Sequence, residues 1–425
     1  MKPVIGLCDA NNFYVSCERL FNPKLLDIPV AVASNNDGCL VARSAEVKAM
    51  GIKMGTPVFK VKHLIESGQL IVLSSNYTLY GDLSGRFHSI LEQFSPRVSV
   101  YSIDEAFIDL SGMAEKIEHI GMQMKNRVAQ WVGLPVCVGV SSTKTLAKLA
   151  NYGAKKFPAT GGVVDLTNTI RQQRLMAITP VAEVWGVGRK IAKRLQSSGI
   201  HSALDLARSN RTWIKRNFSV VLERTVCELQ GELCIPFDEE TSGNKHQIVV
   251  SRSFGERVTD IAELHSALSH FATRACEKLR EQNKFASTAI AFIRTDPFKN
   301  HLPQSCQSVQ LGVPAPTNDT RQFLRQLEPA LRQIFRQGFE YKKAGFMLID
   351  LCNSEGFQGD LISGTLLPDT SPLMSVMDSI NQRFGANTLH PAALNLGRKQ
   401  WHMRQESLSP KYTTCWNDIV KVHCR

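Results

Sequence analysis

The segment YSIDEAFIDL (101–110) constrains the fold more than any other stretch of this chain. Two short apolar pieces, 98–103 and 106–110, have the composition of neighbouring strands, and Asp104 and Glu105 stand between them. A tight hairpin could have used Asn-Gly at this position. The adjacent carboxylates are therefore either a solvated turn or strand-end groups that hold a positive charge.

A third carboxylate, Asp9, ends an apolar strand predicted over 4–9. Strand ends of one sheet can lie side by side although they are distant in sequence. Clustered carboxylates repel one another unless cations share them, and open oxygen ligands suit Mg²⁺. Two such ions can activate a 3′-hydroxyl and stabilise a leaving pyrophosphate. The pattern alone leaves metal binding and a solvated turn both open.

Composition excludes several protein classes. The 425 residues are enough for more than one domain, and 50 Lys+Arg against 38 Asp+Glu give a net charge of +12. This charge suits an anionic polymer such as nucleic acid, although it also serves solubility. The 11 cysteines include no C-x-x-C pair, which argues against a disulfide framework or a zinc knuckle. Neither a signal peptide nor an apolar run of about 18 residues is present, so we expect no membrane association and a cytoplasmic protein.

Hydrophobic patterning predicts two α+β regions separated by a basic helical one. Strands and helices alternate over roughly the first 170 residues, including a helix predicted over 42–50. Residues 171–236 contain short basic helices, and the polar stretch 239–246 is typical of a linker. A second, smaller α+β domain follows up to residue 352.

Five motifs then occur in order along the chain. They are CDANNFYVSCE (8–18), SNNDGCLVARSAEVKAMGIKMG (34–55), SNYTLY (75–80), YSIDEAF (101–107) and GVSSTKTLAKLA (139–150). Together they resemble the Y-family, or translesion, DNA polymerases. The resemblance continues through VWGVGRK (184–190) and SRSFGER (251–257), and the tail motifs MDSINQRFG (377–385) and LSPKYTT (408–414) resemble the UmuC subgroup, the catalytic subunit of bacterial DNA polymerase V.

The resemblance implies a multidomain right-hand polymerase of α+β class. Its expected parts are a palm (1–30 and 78–170), small fingers (31–77), a helix-hairpin-helix thumb (171–241), an α+β little finger (246–352) and a UmuC-type C-terminal extension (353–425). Fingers this small imply loose checking of the nascent base pair. The implied function is template-directed, low-fidelity synthesis past damaged bases in SOS-type mutagenic repair.

The resemblance also assigns site residues. Asp9, Asp104 and Glu105 are the expected catalytic and metal-binding carboxylates for two Mg²⁺ ions, with the backbone carbonyl of Ala10 as a further ligand. The incoming nucleotide is expected to contact Phe13, Tyr14, Arg43, Lys48 and Lys155, and Tyr14 is the expected gate that excludes the ribose 2′-hydroxyl. Ala45 stands where related polymerases often carry a Tyr, so one triphosphate contact is missing or replaced.

DNA contacts are expected in two places. In the thumb, Gly186 and Gly188 allow backbone amides to approach a phosphate, and Lys190, Lys193 and Arg194 add positive charge. A plain helix-turn-helix core is the open alternative. In the little finger, Arg252 and Arg294 are expected to follow the backbone of the primer-template DNA.

The expected partners are primer-template DNA, dNTPs, a processed UmuD-like dimer, a RecA filament and a sliding clamp, with localisation in the bacterial cytoplasm at the nucleoid. A degenerate clamp peptide, with Gln358, Leu361 and Ile362, has Ile where an aromatic residue is usual. A loop of no function is an equal interpretation. Two other functions remain open on the residues: a palm-fold nucleotidyl cyclase and a non-catalytic DNA-binding scaffold protein of repair.

Overall fold

The computed structural model describes residues 3–113, 116–237, 247–299, 301–353, 371–395, 401 and 403–420. The chain divides into two compact units. The first contains Met1–Ser34, Gly38–Thr241 and Ser407–Arg425, and the second contains Asn35–Asp37 and Ser242–Glu406. The expected C-terminal extension is therefore shared between the units. The linker predicted over 239–246 lies outside the described residues.

Both units combine sheets with helices, which confirms the α+β prediction. The strands of the first unit are β1 (Ile5–Ala10), β2 (Val30–Ala33), β3 (Leu40–Arg43), β4 (Ile71–Ser74), β5 (Val98–Val100), β6 (Glu105–Asp109), β7 (Val136–Ser141) and β8 (Val163–Asp165). Its helices are α1 (Phe13–Phe21), α2 (Ala45–Ala49), α3 (Lys62–Glu66), α4 (Tyr77–Leu91), α5 (Ile117–Val132), α6 (Lys144–Lys156), α7 (Thr169–Ile178), α8 (Arg189–Ser197), α9 (Ala203–Arg208), α10 (Arg211–Asn217) and α11 (Val220–Leu229).

The main sheet of the first unit has the strand order β5-β6-β1-β7-β8. β1 lies at its centre, antiparallel to β6 and β7, and all six of its residues are buried. Helix α6 packs directly on β7, because a Cβ atom at Gly139 would lie 2.1 Å from the backbone nitrogen of Asn151. Only glycine permits this approach, which brings the lysines of α6 over the neighbouring strands.

The first unit has a second sheet of three strands in the order β3-β2-β4. One of these strands lies where the sequence predicted a helix. The single helix predicted over 42–50 is wrong, because β3 occupies Leu40–Arg43 and helix α2 begins only at Ala45. Ser44 separates them: its hydroxyl accepts hydrogen bonds from the backbone N–H groups of Val30 and, at 3.4 Å, Val47. It thus fixes the end of a strand and caps the following helix.

The second unit is a four-stranded antiparallel sheet covered on one face by helices. Its elements are β9 (Gln247–Val258), α12 (Ile261–Glu281), β10 (Lys284–Thr295), β11 (Cys306–Thr317), α13 (Thr320–Ile334), β12 (Tyr341–Asn353) and α14 (Ser371–Phe384). The strand order is β11-β10-β12-β9. Arg280 on α12 binds Asp378 on α14 through two hydrogen bonds of 2.6 and 2.8 Å, so the first part of the extension packs on this unit. Within the described ranges, none of the helices is both long and apolar enough to cross a bilayer.

Candidate active site

The carboxyl groups of Asp9 and Glu105 meet where β1 ends and β6 begins. The two residues are direct cross-strand partners, and the backbone N–H of Ala10 donates to the carbonyl of Asp104 at 2.9 Å. A side-chain hydrogen bond joins the two carboxyl groups. Asp9 is only 5% exposed, which is unusual for a carboxylate and calls for a partner of positive charge.

Two lysines of α6 supply that charge. Lys155 Nζ lies 2.5 Å from Asp9 Oδ1, and Lys148 forms an ion pair with Glu105. Lys155 was expected near a triphosphate, but Lys148 was missed. A signal existed, because residues seven apart on a helix lie on the same face after two turns. Lys148 also lies over the ring of Tyr101, 4.3 Å from its centroid.

The electrostatics follow from this arrangement. Burial raises the pKa of Asp9 to about 7, against the opposing effect of Lys155. Burial also disfavours ionisation of Glu105, but its hydrogen bond with Asp9 and the ammonium of Lys148 together bring its pKa below the usual value. Of the two carboxyl groups in contact, Asp9 therefore takes up a proton more readily than Glu105.

Asp104 is placed differently from the other two carboxylates. Its Oδ1 accepts a hydrogen bond of 2.6 Å from the hydroxyl of Ser102 in the turn before β6. Among the residues that the structure describes, no group of three or more His, Cys, Asp or Glu side chains is arranged to hold a metal ion. The structure thus brings Asp9 and Glu105 together, with Asp104 adjacent in the chain but bound to Ser102.

A group of cations lies beside the start of α1. Asn12 precedes the helix with a left-handed φ of 49°, and its side chain accepts a hydrogen bond of 2.5 Å from Lys48 Nζ rather than capping the helix. Burial lowers the pKa of Lys48, and the like charges of Arg43 and Lys155 lower it further. Arg43 and Lys155 therefore lie close enough to Lys48 for their charges to act on it.

Arg43 has spare capacity for an anion. Its Nη1 donates to the carbonyl of Ile52 at 2.5 Å, while its buried Nε has no hydrogen-bond partner. A buried guanidinium N–H without a partner is costly, so an acceptor is expected when the site is filled.

Tyr14 belongs to an aromatic cluster. Its ring stacks on that of Tyr80, with centroids 4.4 Å apart and planes inclined by 15°, and it meets Tyr77 edge to face. Tyr14 is half-buried, whereas Phe13 is 4% exposed and packs in the core. The structure therefore leaves part of Tyr14 accessible, as a gate residue requires, and gives Phe13 mainly a packing role.

A turn with two glycines, Gly186 and Gly188, precedes α8 and is called the glycine hairpin. Gly186 has a φ of +87°, which favours glycine, and Gly188 is the N-terminal cap of α8 with open space around it. Lys190 and Lys193 are exposed on the helix. Arg194 instead donates to the carbonyl of Asn217 at 2.5 Å and lies over the ring of Phe218, so it holds neighbouring helices together.

In the second unit, the predicted arginines occupy two different positions of the sheet. Arg252 is exposed on the edge strand β9 and pairs with Ala344. Arg294 is exposed on β10 opposite Lys343, on the face that the helices leave open. Sequence reasoning missed Lys343, although cross-strand pairing adds its charge to that of Arg294. The clamp residues Gln358, Leu361 and Ile362 lie outside the described residues.

Comparisons with known proteins give a consistent family assignment. Residues 8–152 match the impB/mucB/samB family, residues 245–361 match the impB/mucB/samB family C-terminal domain, and residues 371–422 match a domain of unknown function. The protein UmuC of Salmonella typhimurium is 44% identical, over 99% of this chain and 100% of its own length. The protein MucB of Escherichia coli is 44% identical over 98% and 99%, and DNA polymerase IV 1 of Bacillus subtilis is 25% identical over 92% of each chain.

Solved structures show the same fold. A Y-family DNA polymerase chimera of Dbh and Dpo4 superposes with a TM-score of 0.65 at 18% identity, covering 82% of this chain and 99% of its own. An insertion ternary complex of Dbh DNA polymerase has a TM-score of 0.56 at 18% identity, with the same coverage. The expectation of a right-hand polymerase fold is thereby confirmed.

Proposed function

The chain belongs to the impB/mucB/samB family, and from that premise we propose that it is a template-directed DNA polymerase that copies past damaged bases with low fidelity in SOS-type repair. One observation carries the proposal. Asp9 and Glu105 meet at adjacent strand ends, Lys155 contacts Asp9, and Lys48 lies close enough to Arg43, Lys155 and Asp9 for their charges to act on it. Paired carboxylates next to clustered cations are the groups that nucleotidyl transfer from a triphosphate requires.

We propose that these oxygen donors would hold two Mg²⁺ ions, which requires Asp104 to turn from Ser102 towards the other two carboxylates. Asp9 and Glu105 already place carboxylate oxygens in contact, Asp104 adds a third carboxylate one residue away, and the Ala10 carbonyl adds a neutral oxygen. When bound, such cations supply the charge that activates a primer 3′-hydroxyl and neutralises a leaving pyrophosphate. Lys148 and Lys155 currently balance the negative charge there, and we propose that they release the carboxylates to the ions.

The other site residues bind and orient the nucleotide. Lys48, Lys155 and Arg43 hold the triphosphate. The backbone N–H groups at the start of α1, which no side chain caps, donate hydrogen bonds to its oxygens. Tyr14 packs against the sugar and Phe13 supports it from the core. Together these residues position the α-phosphate for attack by the primer 3′-hydroxyl.

The remaining assignments are proposals of the same kind. Palm, fingers, thumb, little finger and extension have the boundaries expected from the sequence. DNA backbone binds the Gly186–Gly188 hairpin with Lys190 and Lys193, and the open sheet face with Arg294. A processed UmuD-like dimer, a RecA filament and a sliding clamp are the proposed partners of a cytoplasmic, nucleoid-associated enzyme.

Primer extension with purified chain, Mg²⁺ and four dNTPs tests the function. Asp104→Asn keeps the size of the side chain but removes its charge, so we expect loss of nucleotide addition with primer-template binding within about threefold of wild type. Asp109→Asn is the matched control at the other end of strand β6, because an asparagine side-chain oxygen can still accept from the backbone N–H of Ser111. Near-normal extension by Asp104→Asn would refute the polymerase assignment. Loss of DNA binding in that variant would instead show that it is misfolded.

Two other functions give different results. A scaffold protein of repair would bind DNA equally in wild type and Asp104→Asn and extend nothing in either. A nucleotidyl cyclase would release a cyclic nucleotide from a nucleoside triphosphate without primer or template.

A further inference from the structure

The end of the C-terminal extension returns to the first unit as a strap, residues 407–412. Ser74 N–H donates to the carbonyl of Ser407 at 3.0 Å, and Ser407 N–H donates to the hydroxyl of Ser74 at 3.1 Å. Leu408 forms a parallel β-bridge with Ser74. The strap thus lies beside the end of β4, immediately before the helix that carries Tyr77 and Tyr80.

Asn76 joins the strap to the start of that helix. Its Oδ1 accepts from the backbone N–H of Leu79 and caps α4. Its Nδ2 donates to the carbonyl and hydroxyl of Ser409, both at 3.0 Å, and to the carbonyl of Pro410 at 3.1 Å. One buried side chain therefore fixes the first turn of α4 and grips the strap.

A buried carboxylate connects the strap to the aromatic cluster. Glu18 is 1% exposed, and its Oε1 accepts hydrogen bonds from Tyr80 Oη at 2.6 Å and from Ser409 Oγ at 3.0 Å. The hydroxyl of Ser409 both donates to Glu18 and accepts from Asn76, so it links the two side chains. Burial raises the pKa of Glu18, and these two hydroxyl donors counteract the effect.

The strap is also held at its far end. The ring of Tyr412 stacks on that of Phe21 with centroids 4.8 Å apart, and Tyr412 packs against the core of the first unit. The backbone N–H of Lys411 donates to Asp418 Oδ2 at 2.8 Å. Both ends being fixed, Ser409 is presented to Glu18 in a defined position.

On the premise of the proposed function, we propose that the strap is a positioning element for nucleotide selection, in which Ser409 acts through Glu18 and Tyr80 on Tyr14. Tyr80 is the residue on which Tyr14 stacks, and its hydroxyl shares the Glu18 acceptor with Ser409. Loss of the Ser409 hydroxyl leaves the buried carboxylate with one side-chain donor fewer, so Tyr80 and the stacked Tyr14 shift. The strap belongs to the segment 371–422 that matches a domain of unknown function, so the proposal assigns a role to part of that domain.

Sugar selection in full-length variants tests the proposal. The measured quantity is the ratio of kcat/KM for dATP to that for ATP opposite a template T, with one primer-template and Mg²⁺. For Ser409→Ala we expect the ratio to fall about three- to tenfold. For Tyr80→Phe, which keeps the ring but lacks the hydroxyl, we expect the ratio to fall as well. Ser407→Ala is the matched control, because this exposed serine contacts Ser74 only through its backbone. We expect it to remain within about twofold of wild type.

A double-mutant cycle identifies the route. If the strap acts through Tyr14, Ser409→Ala changes the ratio in wild type but not in a Tyr14→Ala background. A merely structural role would lower both rates together and leave the ratio unchanged. The same ratio measured as Kd values for dATP and ATP on a 3′-dideoxy-terminated primer gives a readout without chemistry.

The outcomes separate the two proposals. Wild type that adds no nucleotide and binds none refutes the proposed function. If wild type synthesises DNA and the dATP/ATP ratio in Ser409→Ala and Tyr80→Phe equals that of wild type, the strap proposal alone is overturned. A change in the ratio that persists in the Tyr14→Ala background overturns it too, since the strap would then act by another route.

Discussion

Lys155 Nζ lies 2.5 Å from Oδ1 of Asp9, so a lysine expected to hold a triphosphate neutralises a carboxylate expected to hold a metal ion. Lys148 stands in the same relation to Glu105, two turns away on helix α6. Each lysine favours the ionised form of a carboxyl group whose charge is costly to bury. Nucleotide and cations would arrive together with balanced charge, so the ion pairs can open as the substrate complex forms.

Lys155→Ala is expected to weaken triphosphate binding strongly. A charged hydrogen bond to phosphate contributes about 1.5–3 kcal/mol, which corresponds to a loss of roughly ten- to a hundredfold in kcat/KM for dNTPs. Lys156→Ala is the matched control, since the neighbouring ammonium contacts Tyr152 instead. Single-nucleotide insertion kinetics measure both. Equal losses in the two variants would mean that α6 contributes only general positive charge.

The buried Asp9 predicts a pH dependence of stability in metal-free protein. Burial raises the pKa of Asp9 from 3.8 to about 7, so the folded state binds more protons than the unfolded state between these values. Its contribution to stability is complete below the lower pKa and is lost as pH rises through the upper one. The pKa of Glu105 is lowered from 4.5, so its contribution to stability has the opposite pH dependence: it is lost as the pH falls below that value.

Asp9→Asn removes this proton uptake, and urea unfolding in EDTA from pH 4.5 to 8 measures the result. Relative to wild type, the variant should gain unfolding free energy as pH rises, with the gain levelling above pH 7. A difference that does not vary with pH would show that Lys155 keeps Asp9 ionised throughout. The variant should bind DNA but add no nucleotide.

The glycine hairpin predicts salt-dependent DNA binding through two lysines. Replacing Lys190 and Lys193 with alanine should reduce the slope of log Kd against log salt by about 0.9 per lost phosphate contact on duplex DNA. Lys60 and Lys62 are exposed just before and at the start of helix α3, and their replacement with alanine is a double control with the same loss of charge. Arg194→Ala should act mainly on stability, through its contacts with Asn217 and Phe218. An unchanged slope for Lys190 and Lys193 would assign the hairpin to packing.

Local sequence predicted the elements that carry strong periodicity or a strand-end charge. Asp9 and Glu105 could be anticipated because each stands at the end of an apolar run. The strand 71–74 was missed, and residues 42–50 were assigned to one helix, because short apolar runs fit either structure until Ser44 separates them. Tertiary context decided these segments.

Contacts between distant residues could not be predicted in the same way. Asn76 and Ser409 are 333 positions apart, and neither has a pattern that indicates the other. Lys148 was overlooked within a motif that resembled the family, since an exposed helical lysine has many possible roles. Its role depends on Gly139, which lets α6 approach the sheet closely enough for Lys148 to reach Glu105.

Tyr14 is expected to set the preference for deoxyribonucleotides. A 2′-hydroxyl needs space that the half-buried ring fills, and overpacking costs of roughly 1–3 kcal/mol give about ten- to a hundredfold discrimination. Tyr14→Ala should therefore increase ribonucleotide insertion sharply while deoxyribonucleotide insertion falls less. Tyr14→Phe is the matched control: it keeps the ring that stacks on Tyr80 and should retain selection. The measurement is kcat/KM for each rNTP and its matching dNTP on one primer-template. If both rates fall together at a constant ratio in Tyr14→Ala, Tyr14 is a core residue and Phe13 becomes the next candidate for the gate.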